Sequence, residues 1–289
     1  MIKRLCLIGV GLIGGSLALS LRQKGRVEEV VGVDPDLANL QTAQQLGIID
    51  RGHTSIQAGV ENADWVVIAT PVGVMPGIFS VLKPLWRDEV VYTDTGSTKS
   101  DVVEAVKQIF GEVPGNFVPG HPIAGAECSG ARAANAELFV NRRVILSPLR
   151  STHPEFLDRV EMLWKSTGAK VSLMDHQHHD EVLAATSHLP HVLAFVLTEM
   201  LGRKDEQQEI FQFAAGGFRD FTRIASSDPR MWLDICLANR REILPLIEQY
   251  REALGETAEI IANGEAGKLL ALFTEAQAAR QRFLDQLEK

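Results

Sequence analysis

Two residues in the first half of the chain have side chains suited to proton transfer. His121 lies in PGHPIAGAE between a glycine and a proline, and the proline restricts the backbone and so helps to aim the ring. A histidine in that position can accept a hydroxyl proton as a general base. Ser97, in TDTGSTKS, could hold the second ring nitrogen and fix its tautomer. The alternatives are a solvated loop histidine and a serine that caps a helix.

The second half supplies candidates for substrate binding. His188 and His191 stand three residues apart on one helix face within an apolar run, which predicts a lined pocket, although either ring could instead be a satisfied core histidine. Arg223 could bind a carboxylate through two parallel hydrogen bonds. Arg219, four residues earlier, is expected to pair with a neighbouring aspartate.

A metal site is a weaker alternative. His176, His179 and Asp180 share a helix face at spacings i, i+3 and i+4, which metal ligands can use. No HExxH pattern accompanies them, and a histidine alone can serve hydride transfer from an alcohol. We therefore expect a solvated helix start and no metal. Cys128 is expected only to pack, since hydride chemistry needs no thiol nucleophile.

The N-terminal stretch LCLIGVGLIGGSLALS predicts a dinucleotide site. Gly9, Gly11 and Gly14 form G-x-G-x-x-G between an apolar strand and a helix. Asp34 ends the next strand, twenty residues past Gly14, where its carboxylate can accept hydrogen bonds from ribose hydroxyls. The predicted cofactor contacts come from this turn and from two strand ends: Gly9, Gly11, Leu12, Ile13, Gly14, Asp34, Thr70 and Pro71.

The cofactor is predicted to be NAD. No arginine or lysine occurs in DPDLANLQ, so a 2′-phosphate of NADP would meet Asp34 and Asp36 without a neutralising charge. The competing interpretation of the N-terminal stretch is a secretory signal peptide, but a signal peptide does not need glycines at set positions.

Strands and helices alternate over residues 1–174. WVVIATP and EVVYTDTGS predict buried strands, and helices of ten or more residues separate such segments. A Rossmann-type parallel sheet is expected, with its ligand crevice at the carboxyl ends of the strands. ATPVG, DTGSTKS and PGHPIAG all fall at such ends.

Residues 175–289 predict an all-α domain. Their apolar residues recur at helical spacing, and β-branched runs are nearly absent. Val192, Phe195, Val196 and Met200 form an apolar stripe on one face. Because such stripes are often buried against a second subunit, we expect a homodimer.

Composition narrows the class of protein. The net charge of −8 and the absence of long basic runs argue against nucleic-acid binding. No apolar stretch is judged long enough to cross a membrane. The three cysteines are far apart and form no CxxC pair, which favours a reducing, cytoplasmic location.

Taken together, five motifs resemble the prephenate/arogenate (cyclohexadienyl) dehydrogenase family of tyrosine biosynthesis. They are IGVGLIGGSLA, DTGSTK, GHPIAGAE, SHLPH and GGFRDFTRIASSDPRMW, and they span residues 7 to 232. The resemblance implies NAD-dependent oxidative decarboxylation of prephenate to 4-hydroxyphenylpyruvate and carbon dioxide. It also implies that the remaining helices belong to a dimerisation domain.

The resemblance assigns roles residue by residue. His121 of GHPIAG corresponds to the catalytic histidine, and Ser97 of TGSTK to its hydrogen-bonding partner. His191 and Arg223 correspond to substrate-binding residues, and Glu127 to a residue at the pocket mouth. His188 is the further pocket residue expected from its spacing.

Several alternative functions remain possible from the sequence. An arogenate or dual-specificity enzyme would share the same motifs, although His191 favours the keto acid within the resemblance. A 3-hydroxyacid dehydrogenase would need a lysine in the helical half, where only Lys204 is available between HHDEV and FRDFT. A non-catalytic NAD sensor would not require His121, Ser97, His191 and Arg223 to converge on one crevice.

Replacing His121 by asparagine is expected to lower turnover by a factor on the order of 10² to 10⁴, because the variant lacks the general base. The affinity for NAD is expected to change little. Steady-state kinetics and an NAD titration measure the two effects. Near-normal turnover of His121→Asn would remove this residue from the mechanism.

Overall fold

The computed structural model describes residues 1–204 and 209–287. The chain forms a larger compact unit, Met1–Arg240, and a second unit that begins at Arg241. The larger unit contains a six-stranded parallel sheet in the order β3-β2-β1-β4-β5-β6. Its strands are β1 (Ile2–Ile8), β2 (Val27–Val33), β3 (Arg51–His53), β4 (Trp65–Ile68), β5 (Val91–Asp94) and β6 (Phe117–Val118).

Six helices alternate with these strands and with the second sheet described below. They are α1 (Leu12–Gln23), α2 (Leu37–Gln45), α3 (Ile56–Val60), α4 (Met75–Leu82), α5 (Ser100–Phe110) and α6 (Pro154–Ser166). This strand order and alternation confirm the predicted Rossmann-type α/β fold. The N-terminal stretch forms β1 at the centre of the sheet and α1, as its interpretation as a cofactor turn predicts.

Both faces of the sheet are buried. Leu5 and Leu7 of β1 belong to one apolar core, while Cys6 and Ile8 belong to the core on the opposite face. Because successive side chains of a strand point to opposite faces, a strand covered by helices on both sides is apolar throughout. The apolar run over residues 5–8 of β1 has this cause.

A second sheet has three short strands, β7 (Gly120–Pro122), β8 (Arg143–Leu146) and β9 (Lys170–Leu173). β7 is antiparallel to β8, and β8 is parallel to β9. His121 therefore lies in a strand opposite Ile145, whereas the sequence predicted a loop. Three residues that include a glycine and a proline carry no periodicity, so the strand depends on its partner.

The remaining described elements are helical, as predicted. They are α7 (His176–Leu183), α8 (Leu189–Lys204), α9 (Glu209–Gln212), α10 (Gly216–Thr222), α11 (Pro229–Ala238), α12 (Arg240–Ala262) and α13 (Ala266–Leu287). The boundary predicted at residues 174 and 175 falls between β9 and α7. Helices α7 to α11 belong to the same compact unit as the two sheets.

A π turn, Ala184–His188, joins α7 to α8. Pro190 has no N–H to donate to the carbonyl of Thr186, so the regular helical hydrogen bond is lost at this point. The turn places His188 at its last position, and π turns often occur at functional sites.

By length and composition alone, the helical segment His176–Lys204 could cross a membrane. Polar residues interrupt the apolar run of this segment, so the sequence alone predicts no membrane span here, and this expectation differs from the result for the helix as a whole. The buried polar side chains of His179, Asp180 and His188 lie along this segment. Core helices of folded proteins pass the same test, so the observation is weak evidence for a membrane span.

Candidate active site

Three buried side chains form a hydrogen-bonded chain that ends at His121. Nδ1 of His121 lies 2.8 Å from Nε2 of His179, and Nδ1 of His179 lies 2.8 Å from Oδ1 of Asp180. His121 is 9 % exposed, His179 is fully buried and Asp180 is 3 % exposed. The strand β7 and the helix α7 are thus joined through the two imidazoles.

The protonation states along this chain follow from Asp180. Burial tends to raise the pKa of its carboxyl, but hydrogen bonds from His179 and from the backbone N–H groups of Ser100 and Lys99 outweigh burial and lower that pKa. The resulting carboxylate only accepts, so His179 donates from Nδ1 and accepts at Nε2. His121 then donates from Nδ1, which leaves the lone pair on its Nε2.

The surroundings keep the His121 ring neutral. Burial lowers its pKa well below the ordinary value of 6.5, and the nearby His179, Lys99 and His188 lower it further. A neutral imidazole whose Nδ1–H is engaged and whose Nε2 carries a lone pair is the form that a general base requires.

His188 is oriented by the end of α11. Nδ2 of Asn239 donates to the backbone carbonyl of Asp180 at 2.8 Å and lies 3.0 Å from Nδ1 of His188. His188 therefore accepts at Nδ1 and carries its proton on Nε2. Burial lowers the pKa of His188 to about 4, so the ring is neutral at physiological pH.

His191 lies on the following turn, in α8. Its ring stacks on the Trp232 indole, with centroids 3.7 Å apart, and its Nδ1 donates to the carbonyl of Ser187 at 2.8 Å. Trp232 also meets the ring of His188 edge-on at 6.1 Å. One indole therefore packs against both histidines that the sequence placed in a pocket.

Helix α11 approaches the sheet closely. It packs against the short 3₁₀ turn Val72–Val74 that follows β4. A Cβ on Gly73 would lie 2.5 Å from Oδ2 of Asp234, so a larger residue at this position would require the Asp234 side chain to move. The contact brings Trp232 and Asn239 to the carboxyl edge of the sheet.

Arg223 forms an ion pair with Glu127. Arg223 begins a 3₁₀ turn that contacts α8, and Glu127 belongs to the segment after β7. The two side chains are 62 % and 36 % exposed, so the pair lies at the protein surface. Charges of both residues act on the pKa of His191, which burial lowers. The structure thus brings together Arg223, Glu127 and His191, three of the four predicted substrate-binding residues.

Ser97 is half-buried and lies three residues beyond the end of β5. Within residues 1–204 and 209–287, the hydrogen-bond partner of His121 is His179, and Ser97 makes no bond to the ring. Its role as a partner of His121 stays a prediction.

The expected solvated helix start is wrong for His179 and Asp180, which are the buried support of His121. Their helical spacing is visible in the sequence, where it indicates only a metal site or a solvated helix start. Asn239 carries no signal in the sequence, because its two partners are more than fifty residues away. Among the described residues, no group of three or more side chains could hold a metal ion.

The glycine turn lies between the adjacent strands β1 and β4, where the order of the sheet reverses. Gly9 has φ of +93°, and a Cβ on Gly14 would lie 2.4 Å from the carbonyl oxygen of Gly9. In contrast, no atom lies within 4 Å of a Cβ built on Gly11, which leaves open space in front of the turn. Leu12 and Ile13 begin α1, whose first N–H groups have no helical acceptor.

The other end of the predicted cofactor site is organised by Asp34. Its carboxylate accepts from N of Val10 at 3.2 Å, from N of Asp36 at 2.9 Å and from Nδ2 of Asn39 at 3.0 Å. Asp36 caps α2 through N–H groups of the first turn. Thr70 and Pro71 follow β4 beside Gly9. These residues fit a dinucleotide with a free ribose diol.

A doubly wound sheet with this turn, next to a buried neutral histidine, defines a nucleotide-dependent dehydrogenase class. Residues 17–173 match the family described as prephenate dehydrogenase, nucleotide-binding domain, and residues 175–275 match prephenate dehydrogenase, dimerization domain. The chain belongs to the prephenate dehydrogenase family.

Individual relatives agree with this membership. The chain is 36% identical to the cyclohexadienyl dehydrogenase of Zymomonas mobilis, over 96% of this chain and 95% of the relative. It is 36% identical to the prephenate dehydrogenase of Bacillus subtilis, over 95% of this chain and 74% of the relative. The crystal structure of the Aquifex aeolicus prephenate dehydrogenase in complex with hydroxyphenyl propionate and NAD+ has a TM-score of 0.91 at 35% identity, covering 98% and 99% of the two chains.

The buried histidines predict that acid destabilises the protein. The pKa of His188 is about 4 in the folded protein and 6.5 ordinarily, so between these values the unfolded chain binds more protons. Its contribution, about 3 kcal/mol, is complete above about pH 6.5 and is lost as the pH falls towards 4. Urea unfolding between pH 7 and pH 4.5 measures it.

His188→Gln is expected to lose less stability over this range than the wild-type protein. His178→Gln removes an exposed histidine of α7 and is expected to follow the wild-type curve. If His188→Gln and the wild-type protein lost the same stability between pH 7 and pH 4.5, the lowered pKa assigned to His188 would be contradicted.

Proposed function

We propose that this protein catalyses the NAD-dependent oxidative decarboxylation of prephenate to 4-hydroxyphenylpyruvate and carbon dioxide. The observation that carries the proposal is the neutral His121, held by His179 and Asp180 and with the lone pair of its Nε2 available. Family membership supplies the substrate class, and the A. aeolicus relative was crystallised with NAD+ and a phenolic acid.

His121 is the proposed catalytic base. Bound NAD supplies the hydride acceptor. Nε2 of His121 takes the hydroxyl proton of the substrate as the carbinol carbon is oxidised, and the imidazolium that forms is stabilised by its hydrogen bond to His179, which the carboxylate of Asp180 orients. The ring carboxylate then leaves as carbon dioxide, since its loss makes the ring aromatic. His121 returns the proton to the phenolic oxygen, so no net proton is released.

The substrate carboxylates are the proposed ligands of Arg223 and His191. An arginine can hold a carboxylate through two parallel hydrogen bonds. In the structure the guanidinium of Arg223 is paired with the carboxylate of Glu127. A substrate carboxylate that binds Arg223 at the pocket mouth would therefore replace Glu127. His188 presents an Nε2–H and is the proposed neutral donor deeper in the pocket. Ser97 is the proposed second contact to the reacting hydroxyl.

Arogenate remains the second candidate substrate. The Z. mobilis relative is a cyclohexadienyl dehydrogenase, a name that covers both ring acids. The pocket side chains His188 and His191 both have lowered pKa values, because burial disfavours their charged forms. Neutral rings can act as donors to a keto acid as well as to an amino acid, so both substrates belong in the test.

NAD is preferred over NADP in this proposal. Asp34 is held in place by three donors, and in the proposed role as ribose ligand its carboxylate would repel a 2′-phosphate. Asp36 is engaged as the cap of α2 and gives the phosphate no counter-charge.

The protein is proposed to work as a homodimer in the cytoplasm, without nucleic-acid or membrane partners. The description of residues 175–275 as a dimerization domain supports an oligomer. Large apolar side chains are exposed on α8, including Val196 at 57 % and Met200 at 42 %. The three cysteines are free, as expected of a reducing compartment.

The activity is tested by mixing the protein with prephenate or arogenate, each with NAD or NADP, and following reduced-cofactor absorbance. Prephenate with NAD is expected to give the highest kcat/KM. Arg223→Leu is expected to raise the KM for prephenate on the order of tenfold to a hundredfold, because a charge-assisted hydrogen bond is lost. Arg219→Leu, the same change on the preceding helix, should leave it within about twofold. Absence of signal with both substrates would refute the proposal.

Size-exclusion chromatography with light scattering tests the dimer. A mass near twice the 31.7 kDa of the chain is expected at micromolar concentration. A monomer under those conditions would refute this part of the proposal.

A further inference from the structure

A buried ion pair lies between the two segments that carry the predicted catalytic residues. The ammonium of Lys99 contacts the carboxylate of Asp94, and both side chains are fully buried. A lysine is almost never fully buried unless it is paired. A buried pair also gives little net stability, because desolvation of the two charges offsets their attraction. The pair therefore calls for a role other than stability.

The carboxylate of Asp94 joins two strand ends. Its Oδ2 accepts from the N–H of Gly96 at 2.8 Å, and its Oδ1 accepts from the N–H of Gly120 at 3.2 Å. Gly96 directly precedes Ser97, and Gly120 directly precedes His121. One carboxylate thus sets the distance between the segments that carry both side chains.

Lys99 also contacts the other support of His121. Its backbone N–H donates to Oδ1 of Asp180 at 2.8 Å, and the N–H of Ser100 donates to Oδ2 at 2.7 Å. Oδ1 of Asp180 is the atom that accepts from His179. Lys99 is therefore linked to His121 by two routes, through Asp94 and Gly120 and through Asp180 and His179.

We propose that Lys99, paired with Asp94, is a positioning residue for His121: it holds the ring between β7 and α7 and places a buried positive charge near it. The proposal rests on the proposed function for its kinetic readout. Lys99 does not touch the reacting atoms and acts only through His121.

Titratable and charged groups on several elements surround His121. Lys99 at the start of α5, His179 on α7 and His188 in the π turn all lower the pKa of His121, although burial is the largest cause. Asp94 at the end of β5 and Asp180 on α7 raise the pKa of His179. Loss of the Lys99 charge should therefore make His121 easier to protonate.

The test needs a neutral version of the pair. Lys99→Met alone would leave the Asp94 carboxylate buried without a counter-charge, and the variant could fail to fold. The double variant Asp94→Asn with Lys99→Met removes both charges, and the amide oxygen can still accept from a backbone N–H. Lys107→Met is the matched control, since Lys107 is an exposed lysine of the same helix.

The first readout is the NMR titration of the His121 ring in the free protein, assigned by its absence in His121→Asn. The second is the acid limb of the pH profile of kcat/KM for prephenate. In the double variant both midpoints are expected to move up by less than about one pH unit, because Lys99 lowers the pKa of His121, whereas the charge of Asp94 acts on His179. Lys107→Met is expected to match the wild-type protein in both.

Unchanged midpoints in a folded double variant would overturn the proposal. A double variant that fails to fold would also overturn it, because the pair would then be required for folding. If the wild-type protein does not oxidise prephenate, the proposed function fails, while the NMR titration still decides the role of Lys99.

Discussion

The site depends on one buried carboxylate, that of Asp180 at the start of the helical half. It accepts from two backbone N–H groups at the start of α5 and from the ring of His179. Each bond takes the place of a hydrogen bond to water, which is what makes a buried charge tolerable. Because the donors come from different elements, the same carboxylate holds the sheet and the helices in register and orients His121.

The neutral state of the histidines follows from this arrangement. His121, His179 and His188 are all buried, and burial lowers the pKa of each. A neutral imidazole has one donor and one acceptor, so each hydrogen bond defines the next tautomer along the chain. The carboxylate of Asp180 determines the tautomers of His179 and His121, and Asn239 separately determines the tautomer of His188. The result is one ring ready to accept a proton and one ready to donate a hydrogen bond.

Asn39 connects the predicted cofactor site at Asp34 with the segment that leads to the predicted substrate pocket. Its side-chain N–H₂ donates to the carboxylate of Asp34 and to the carbonyl of Val10, and its Oδ1 accepts from the N–H of Ala131. Ala131 follows the segment that carries Glu127, which pairs with Arg223. The residue that orients the predicted ribose ligand thus also anchors the segment at the pocket mouth.

The sequence by itself determined the α/β fold, the glycine turn, the helical half and the family, because hydrophobic periodicity and short motifs are local properties. It also singled out His121, His191 and Arg223 as residues suited to one site. Only the tertiary structure decided that His121 lies in a strand and that His179 and Asp180 support it. It also decided that Asn239 orients His188. These contacts join residues more than about twenty positions apart or depend on burial, and a local sequence pattern contains neither kind of information.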